Sequence, residues 1–257
     1  MDLSKYIRDI STGVIEIAIE KDKRVLGNGS AFLAGDGLIT NSHVIRPPGD
    51  FDAFRIRFSD GQTQIRLLPK DFYGALAAES PASSFDFAYV RIDEPELQRR
   101  YRFDLGSSEK VELGNEVLFL GFPFGMPQLT VHRGYVSSIH SQDGRDIIQI
   151  DGSVNGGNSG GPLIDLKSRQ VVGIVTRAVT GIVEQEFDNL ISALAQNVEV
   201  LGNTKTVIQV GGIDPIQGLR ASQSAMQQIA QNLKRSANVG IGYAFAIDPV
   251  KAEMNCA

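Results

Sequence analysis

Tryptophan is absent from this 257-residue sequence, cysteine occurs once and histidine three times. The lone Cys256 excludes an intramolecular disulfide, so the fold rests on packing and hydrogen bonds; a single terminal thiol is also no catalytic constellation. No grouping of His, Cys, Asp and Glu has the spacing of a zinc site, and no cofactor motif stands out, so neither a metal nor a cofactor is expected. No run approaches the roughly 18 apolar residues of a membrane span, and Met1–Ile10 lacks the apolar core of a secretory signal. These absences predict a cytoplasmic protein without membrane contact. A net charge of −5 gives nucleic acid no electrostatic footing. What the chain has instead is 27 glycines and 42% hydrophobic residues, a folded and turn-rich composition long enough for one large core or two small ones.

Four of those glycines crowd one serine in Asp151-Gly-Ser-Val-Asn-Gly-Gly-Asn-Ser-Gly-Gly-Pro-Leu-Ile-Asp165. Gly156, Gly157, Gly160 and Gly161 allow sharp turns that leave backbone N–H groups pointing inward, where an oxyanion could bind. A bland glycine-rich turn between strands is the alternative for this loop taken alone. Two further residues decide against it: His43, in Thr40-Asn-Ser-His43, and Asp86, in Asp86-Phe-Ala88, each beside an apolar strand-like run. With Ser159 they supply a base, an orienting carboxylate and a nucleophile. Their order also decides between fold families. Gly157-Asn-Ser-Gly-Gly161 fits the nucleophile elbow of α/β-hydrolases, but that triad runs serine, acid, histidine, and here His43, His132 and His140 all precede Ser159. His132 and His140 lie in or beside a β run and read as structural.

On these three motifs the chain resembles chymotrypsin-fold, trypsin-like serine proteases, and is most similar to the HtrA (Deg) protease domain. The resemblance covers roughly residues 11–178 and 239–250, including Leu120-Gly-Phe-Pro-Phe-Gly125 and Gly240-Ile-Gly242. It implies an all-β fold of two six-stranded antiparallel barrels. Residues 1–105 would hold a helical lead-in and the first barrel, and residues 106–257 the second barrel. The periodicity is consistent with this. Alternating or apolar runs occur at 13–20, 30–33, 37–40, 54–58, 64–68 and 87–92, then at 116–120, 129–137, 146–150, 170–176 and 240–248. Tyr6, Ile7 and Ile10 share one face of a short N-terminal helix. Between about 180 and 237 the pattern changes. Val183, Phe187, Leu190, Ile191 and Leu194 repeat at helical spacing, as do Met226, Ile229, Ala230 and Leu233. Two amphipathic helices are predicted, joined by an irregular stretch or small hairpin over 198–218. They would either pack as structural helices or form a lid or surface for a regulatory protein.

The resemblance also implies roles. His43 would be the base, Asp86 would hold its tautomer, and Ser159 would attack a peptide carbonyl to form an acyl-enzyme, with the N–H groups of Gly157 and Ser159 as oxyanion hole. Thr176 falls where a hydroxyl would contact the aspartate. Ser153 maps to the base of the primary pocket, with Thr176, Arg177 and Ala178 in its wall, and neutral Ser153 implies small or medium apolar preference. Asn155-Gly-Gly-Asn-Ser159 lacks the proline common in this loop, so the loop is expected to sample an inactive state until substrate or a partner orders it. Asn158 carries no charge to pair with a cut N-terminus, so activation by cleavage is not expected. No PDZ-like domain is expected in the chain. The reading from another class is a latent or non-catalytic module that holds a protein partner.

Overall fold

A computed structural model describes residues 2–176, 181–203, 214–236 and 240–256. It comprises two compact units, Met1–Ala178 with Val239–Ala257, and Val179–Asn238.

The first unit opens with α1 (Leu3–Ser11), capped by the Asp2 carboxylate on the Ser4 N–H at 2.9 Å. Tyr6 and Ile10 are buried from it, the face that the spacing predicts. Seven strands follow: β1 (Val14–Lys21), β2 (Arg24–Ala34), β3 (Gly37–Thr40), β4 (Ala53–Phe58), β5 (Gln64–Leu67), β6 (Leu76–Ser80) and β7 (Phe87–Val90). Short helices interrupt them: α2 (Ser42–Ile45) after β3, α3 (Pro69–Gly74) after β5 and α4 (Pro95–Gln98) after β7. The sheet order is β5-β4-β1-β2-β3-β7-β6. This corrects the expected six-stranded barrel: the first half is a seven-stranded sheet with β5 and β6 at its edges. The extra strand, Leu76-Ala-Ala-Glu-Ser80, has a weak alternation and alanine's low β propensity, and only its pairing with β7 makes it a strand.

Centrally placed β1 shows why. Ile15, Ile17 and Ile19 enter one apolar cluster with Phe54, Phe58 and Phe72. The intervening Glu16 and Glu20 are buried too, because arginines of neighbouring strands cover them. Arg57 lies 2.7 Å from Glu16, and Arg55 lies 3.0 Å from Glu20. Burial outweighs these arginines at Glu16 and pushes its carboxyl above the ordinary value.

The second half is a closed barrel, β10-β13-β12-β11-β8-β9. Its strands are β8 (Glu116–Gly121), β9 (Thr130–Gln142), β10 (Arg145–Asp151), β11 (Pro162–Asp165), β12 (Val171–Thr176) and β13 (Ile241–Ala246). Closure removes the edges that β5 and β6 still carry. His132 of β9 stacks on Phe119 at 4.5 Å, and burial pushes its pKa down, so it sits in the wall as a neutral ring. His140 is exposed on the same strand.

The second unit contains α5 (Gly181–Asn203) and α6 (Pro215–Ser236), the two helices of the insertion that the periodicity predicts within the β fold. The predicted connector is shorter than 198–218, since α5 runs to Asn203 and α6 starts at Pro215; residues 204–213 lie outside the described ones. Leu194 and Ala230 are buried, whereas Leu190, Met226, Ile229 and Leu233 are exposed. Asn197 Nδ2 donates to Gln223 Oε1 at 3.3 Å between the helices. The side chain of Val183 lies outside the described residues. A last helix, α7 (Asp248–Cys256), returns to the first unit.

Candidate active site

The buried strand β3 ends at Thr40, and Asn41 stays extended (φ −77, ψ 147) before the one-turn α2. An asparagine at a helix N-cap ordinarily accepts from the helix's own N–H groups. Asn41 instead donates its Nδ2 to the Asp86 carbonyl at 2.8 Å. The second residue of α2 is His43. Its backbone N–H donates to Asp86 Oδ1 at 3.0 Å, and its Nδ1 lies 2.7 Å from Oδ2. A carboxylate oxygen only accepts, so this contact selects the Nδ1–H tautomer and leaves Nε2 as an acceptor. Asp86 is 4% exposed, whereas the His43 side chain is 39% exposed. One edge of the imidazole is therefore fixed in the protein while the ring remains open to an incoming molecule.

Asp86 reaches this position through an unusual backbone. Its φ of 51° is left-handed, a conformation that aspartate tolerates better than most residues. Its N–H donates to the Pro81 carbonyl at 3.1 Å, and β7 begins at the next residue. A short polar loop thus turns the carboxylate towards α2.

Ser159 comes from the barrel, in the loop between β10 and β11, and is 5% exposed. Its carbonyl accepts from the Ser30 N–H of β2 at 2.7 Å, and the Gly160 N–H donates to Val175 of β12 at 2.8 Å. The two halves of the first unit therefore meet at the serine. Glycine is needed at two points here. Gly157 has a φ of +100°, and a Cβ there would lie 2.2 Å from the Phe122 carbonyl oxygen. At Gly160 (φ +87°) a Cβ would lie 2.0 Å from the Ser30 carbonyl oxygen. The preceding Asn158 is fully buried and neutral.

Of the pocket residues read from the sequence, Ser153 is exposed in the same loop and Thr176 is buried at the end of β12, opposite Tyr243. Arg177 and Ala178 lie outside the described residues. The sequence reading missed a polar cluster beside His43. Ser42 Oγ donates to Glu79 Oε1 at 2.7 Å, and Arg46 reaches the two Glu79 oxygens at 3.0 and 2.6 Å. These residues, with His43, Pro81 and Ala82, line a depression of about 470 Å³. The Arg46 hydrogen bond holds Glu79 below its ordinary value, and its guanidinium lies 4.3 Å from the Tyr73 ring centre. Glu79 is the one charge within 79–85, and that isolation was the available signal.

The model of the trypsin-like peptidase domain matches residues 27–174. A probable periplasmic serine endoprotease DegP-like of Chlamydia pneumoniae is 33% identical over 164 residues, 60% of this chain and 29% of that protein. Its namesake in Rhizobium meliloti is 36% identical over 160 residues, 60% of this chain and 28% of that protein. Protease Do-like 8, chloroplastic, of Arabidopsis thaliana is 33% identical over 175 residues, 62% of this chain and 36% of that protein. The chain thus spans about a third or less of the length of these relatives. Among solved structures, the HtrA-type protease AlgW with tripeptide superposes with a TM-score of 0.55 at 26% identity, covering 70% of this chain and 56% of that one. The cytoplasmic expectation is overturned, because the relatives are named as periplasmic or chloroplastic proteins. Residues that fold a barrel carry no address, so the domain's composition held no information about compartment.

Proposed function

The chain belongs to the trypsin-like peptidase family, and from that premise we propose that it is a serine endopeptidase with His43, Asp86 and Ser159 as its triad. The observation that carries the reading is the double hold of Asp86 on His43, through the backbone N–H and through Nδ1. A histidine serving only as packing would not need its tautomer fixed by a buried carboxylate while its ring stayed open. In this reading Nε2 accepts the Ser159 proton as Oγ attacks a peptide carbonyl, and Asp86 stabilises the resulting imidazolium. The C–N bond then breaks as the proton passes to the leaving amine. Water hydrolyses the remaining ester by the same steps.

The N–H groups of Gly157 and Ser159 would receive the oxyanion, each donor contributing about 2.7–4 kcal/mol to the transition state in comparable sites. The substrate would be a peptide or unfolded protein segment, in keeping with the tripeptide that accompanies AlgW in its solved structure. Ser153 and Thr176 would border the pocket for its side chain, and 180–237 would serve as a lid or partner surface.

A fluorophosphonate reacts only with a serine whose base and oxyanion hole both work. Intact mass should show one adduct on the wild type and none on Ser159→Ala or His43→Ala. A folded wild-type chain left unmodified would sink the endopeptidase reading and favour a module that binds a partner without turnover.

A further inference from the structure

Beneath the serine loop lies a group that the mechanism above does not use. Ser30 of β2 is fully buried and opens the run Ser30-Ala-Phe-Leu33, which is otherwise apolar. Its hydroxyl donates to the Gly157 carbonyl at 2.7 Å and accepts from the Phe122 N–H at 3.0 Å. A buried hydroxyl that both donates and accepts has its proton direction fixed, so it acts as a rigid link rather than a rotor. The link joins three segments: β2, the end of β8, and the loop that carries the serine. Immediately after Phe122, the chain makes a 3₁₀ turn at Pro123–Gly125, where Phe124 takes a φ of 58°. A phenylalanine rarely adopts that backbone, and here it aims the Phe124 N–H at the Gly156 carbonyl, 2.7 Å away. Asn28 Nδ2 in turn holds the Phe122 carbonyl at 3.1 Å.

The carbonyls on both sides of Gly157 are thereby tied down. A trans peptide points its N–H opposite its C=O, so fixing the Gly156 carbonyl fixes the direction of the Gly157 N–H. Position 156 has no proline to restrict the chain, and glycine at 157 would allow the peptide to turn over. Two hydrogen bonds supply the restraint instead.

We propose that Ser30 is a positioning residue for the oxyanion hole, its hydroxyl acting with the Phe124 N–H to hold the loop with the Gly157 N–H turned towards the reacting carbonyl. This deepens the endopeptidase reading and rests on it. Ser30→Ala removes one oxygen and leaves two buried backbone groups without their partner, so the loop gains freedom at the point where the donor must be still.

The test compares wild type, Ser30→Ala and Asn28→Ala in turnover of fluorescein-labelled casein and in inhibition by phenylboronic acid, which becomes a tetrahedral anion on the serine. Ser30→Ala should lower kcat by about 10- to 100-fold with KM within about twofold, a part of the loss expected for deleting a donor outright. Its phenylboronic acid Ki should rise by a similar factor. Asn28→Ala, at a half-buried position, should give a smaller loss of the same kind. A merely structural role would lower thermal stability without moving the boronate affinity of the folded fraction. A folded Ser30→Ala with wild-type kcat and Ki overturns the proposal. If Ser30→Ala does not fold, wild-type values in Asn28→Ala overturn it. A wild-type chain that neither turns over casein nor reacts with fluorophosphonate overturns the endopeptidase reading itself.

Discussion

Glu79 accepts from Arg46 and Ser42, and Ser42 directly precedes His43, so this carboxylate braces α2 beside the histidine. Its depressed pKa gives the sign of a pH effect. A carboxyl whose folded pKa lies below its ordinary value of 4.5 stabilises the fold above that value, and the contribution disappears as pH falls through the depressed one. Glu79→Gln should therefore lower Tm at neutral pH and match the wild type in acid. Arg46 is about half exposed, so the difference should stay within about 1 kcal/mol. Thermal melts across pH 3–7 check this; a gap that persists undiminished in acid would point to lost packing. At this scale the sequence displayed His43, Asp86 and Ser159 plainly, because few other chemistries need those neighbours. It did not display Ser30 or Phe124. Their contacts bridge 127 residues in one case and depend on a backbone angle in the other.

The helical insertion separates β12 from β13 in sequence, yet these strands pair directly from Gly173↔Ala246 to Thr176↔Tyr243. The ladder thus closes the barrel without any strand from the insertion. Deleting 180–237 leaves 177–179 and 238–240 to join neighbouring antiparallel strands, a span that a short hairpin loop can bridge. The deletion protein should fold, keep its Tm within a few degrees and still take one fluorophosphonate, while its peptide specificity or rate changes. Unchanged kinetics across a peptide library would remove any lid or partner role for the insertion. The helices themselves were legible because a 3.6-residue period persists for two long segments. Strand β6 was not, since Leu76–Ser80 alternates only weakly and its alanines have low β propensity.

Of the three apolar clusters in the first unit, one draws on both of its halves. It takes Tyr6 and Ile10 from α1, Phe32 and Ile39 from the sheet, Leu118, Leu120 and Ile174 from the barrel, and Ile247 and Val250 from the chain around α7. Sheet and barrel each keep a cluster of their own and are joined through this shared apolar one. The Tyr6 hydroxyl donates to the Arg169 carbonyl at 3.3 Å, and burial pushes its pKa up to about 12, which keeps it a neutral donor. Ile10→Ala should cost about 2–5 kcal/mol, the usual range for emptying a buried aliphatic site. Denaturant unfolding of that variant should remain one transition with both halves lost together. Two separated transitions would show that the halves are energetically independent.

Taken alone, the sequence determined the family, the barrel class of the second half, the insertion and the candidates for nucleophile, base and acid. These are set by local residue types, by periodicity and by the order His43, Asp86, Ser159, none of which needs coordinates to be read. Tertiary structure decided that the first half is a seven-stranded sheet, that Glu16 and Glu20 are buried under arginines, and that Asp86 grips His43 at two atoms. It also decided that two hydrogen bonds hold the peptides around Gly157. Each of these depends on distances between residues far apart in the chain, set by strand register and close packing, which one-dimensional pattern does not encode.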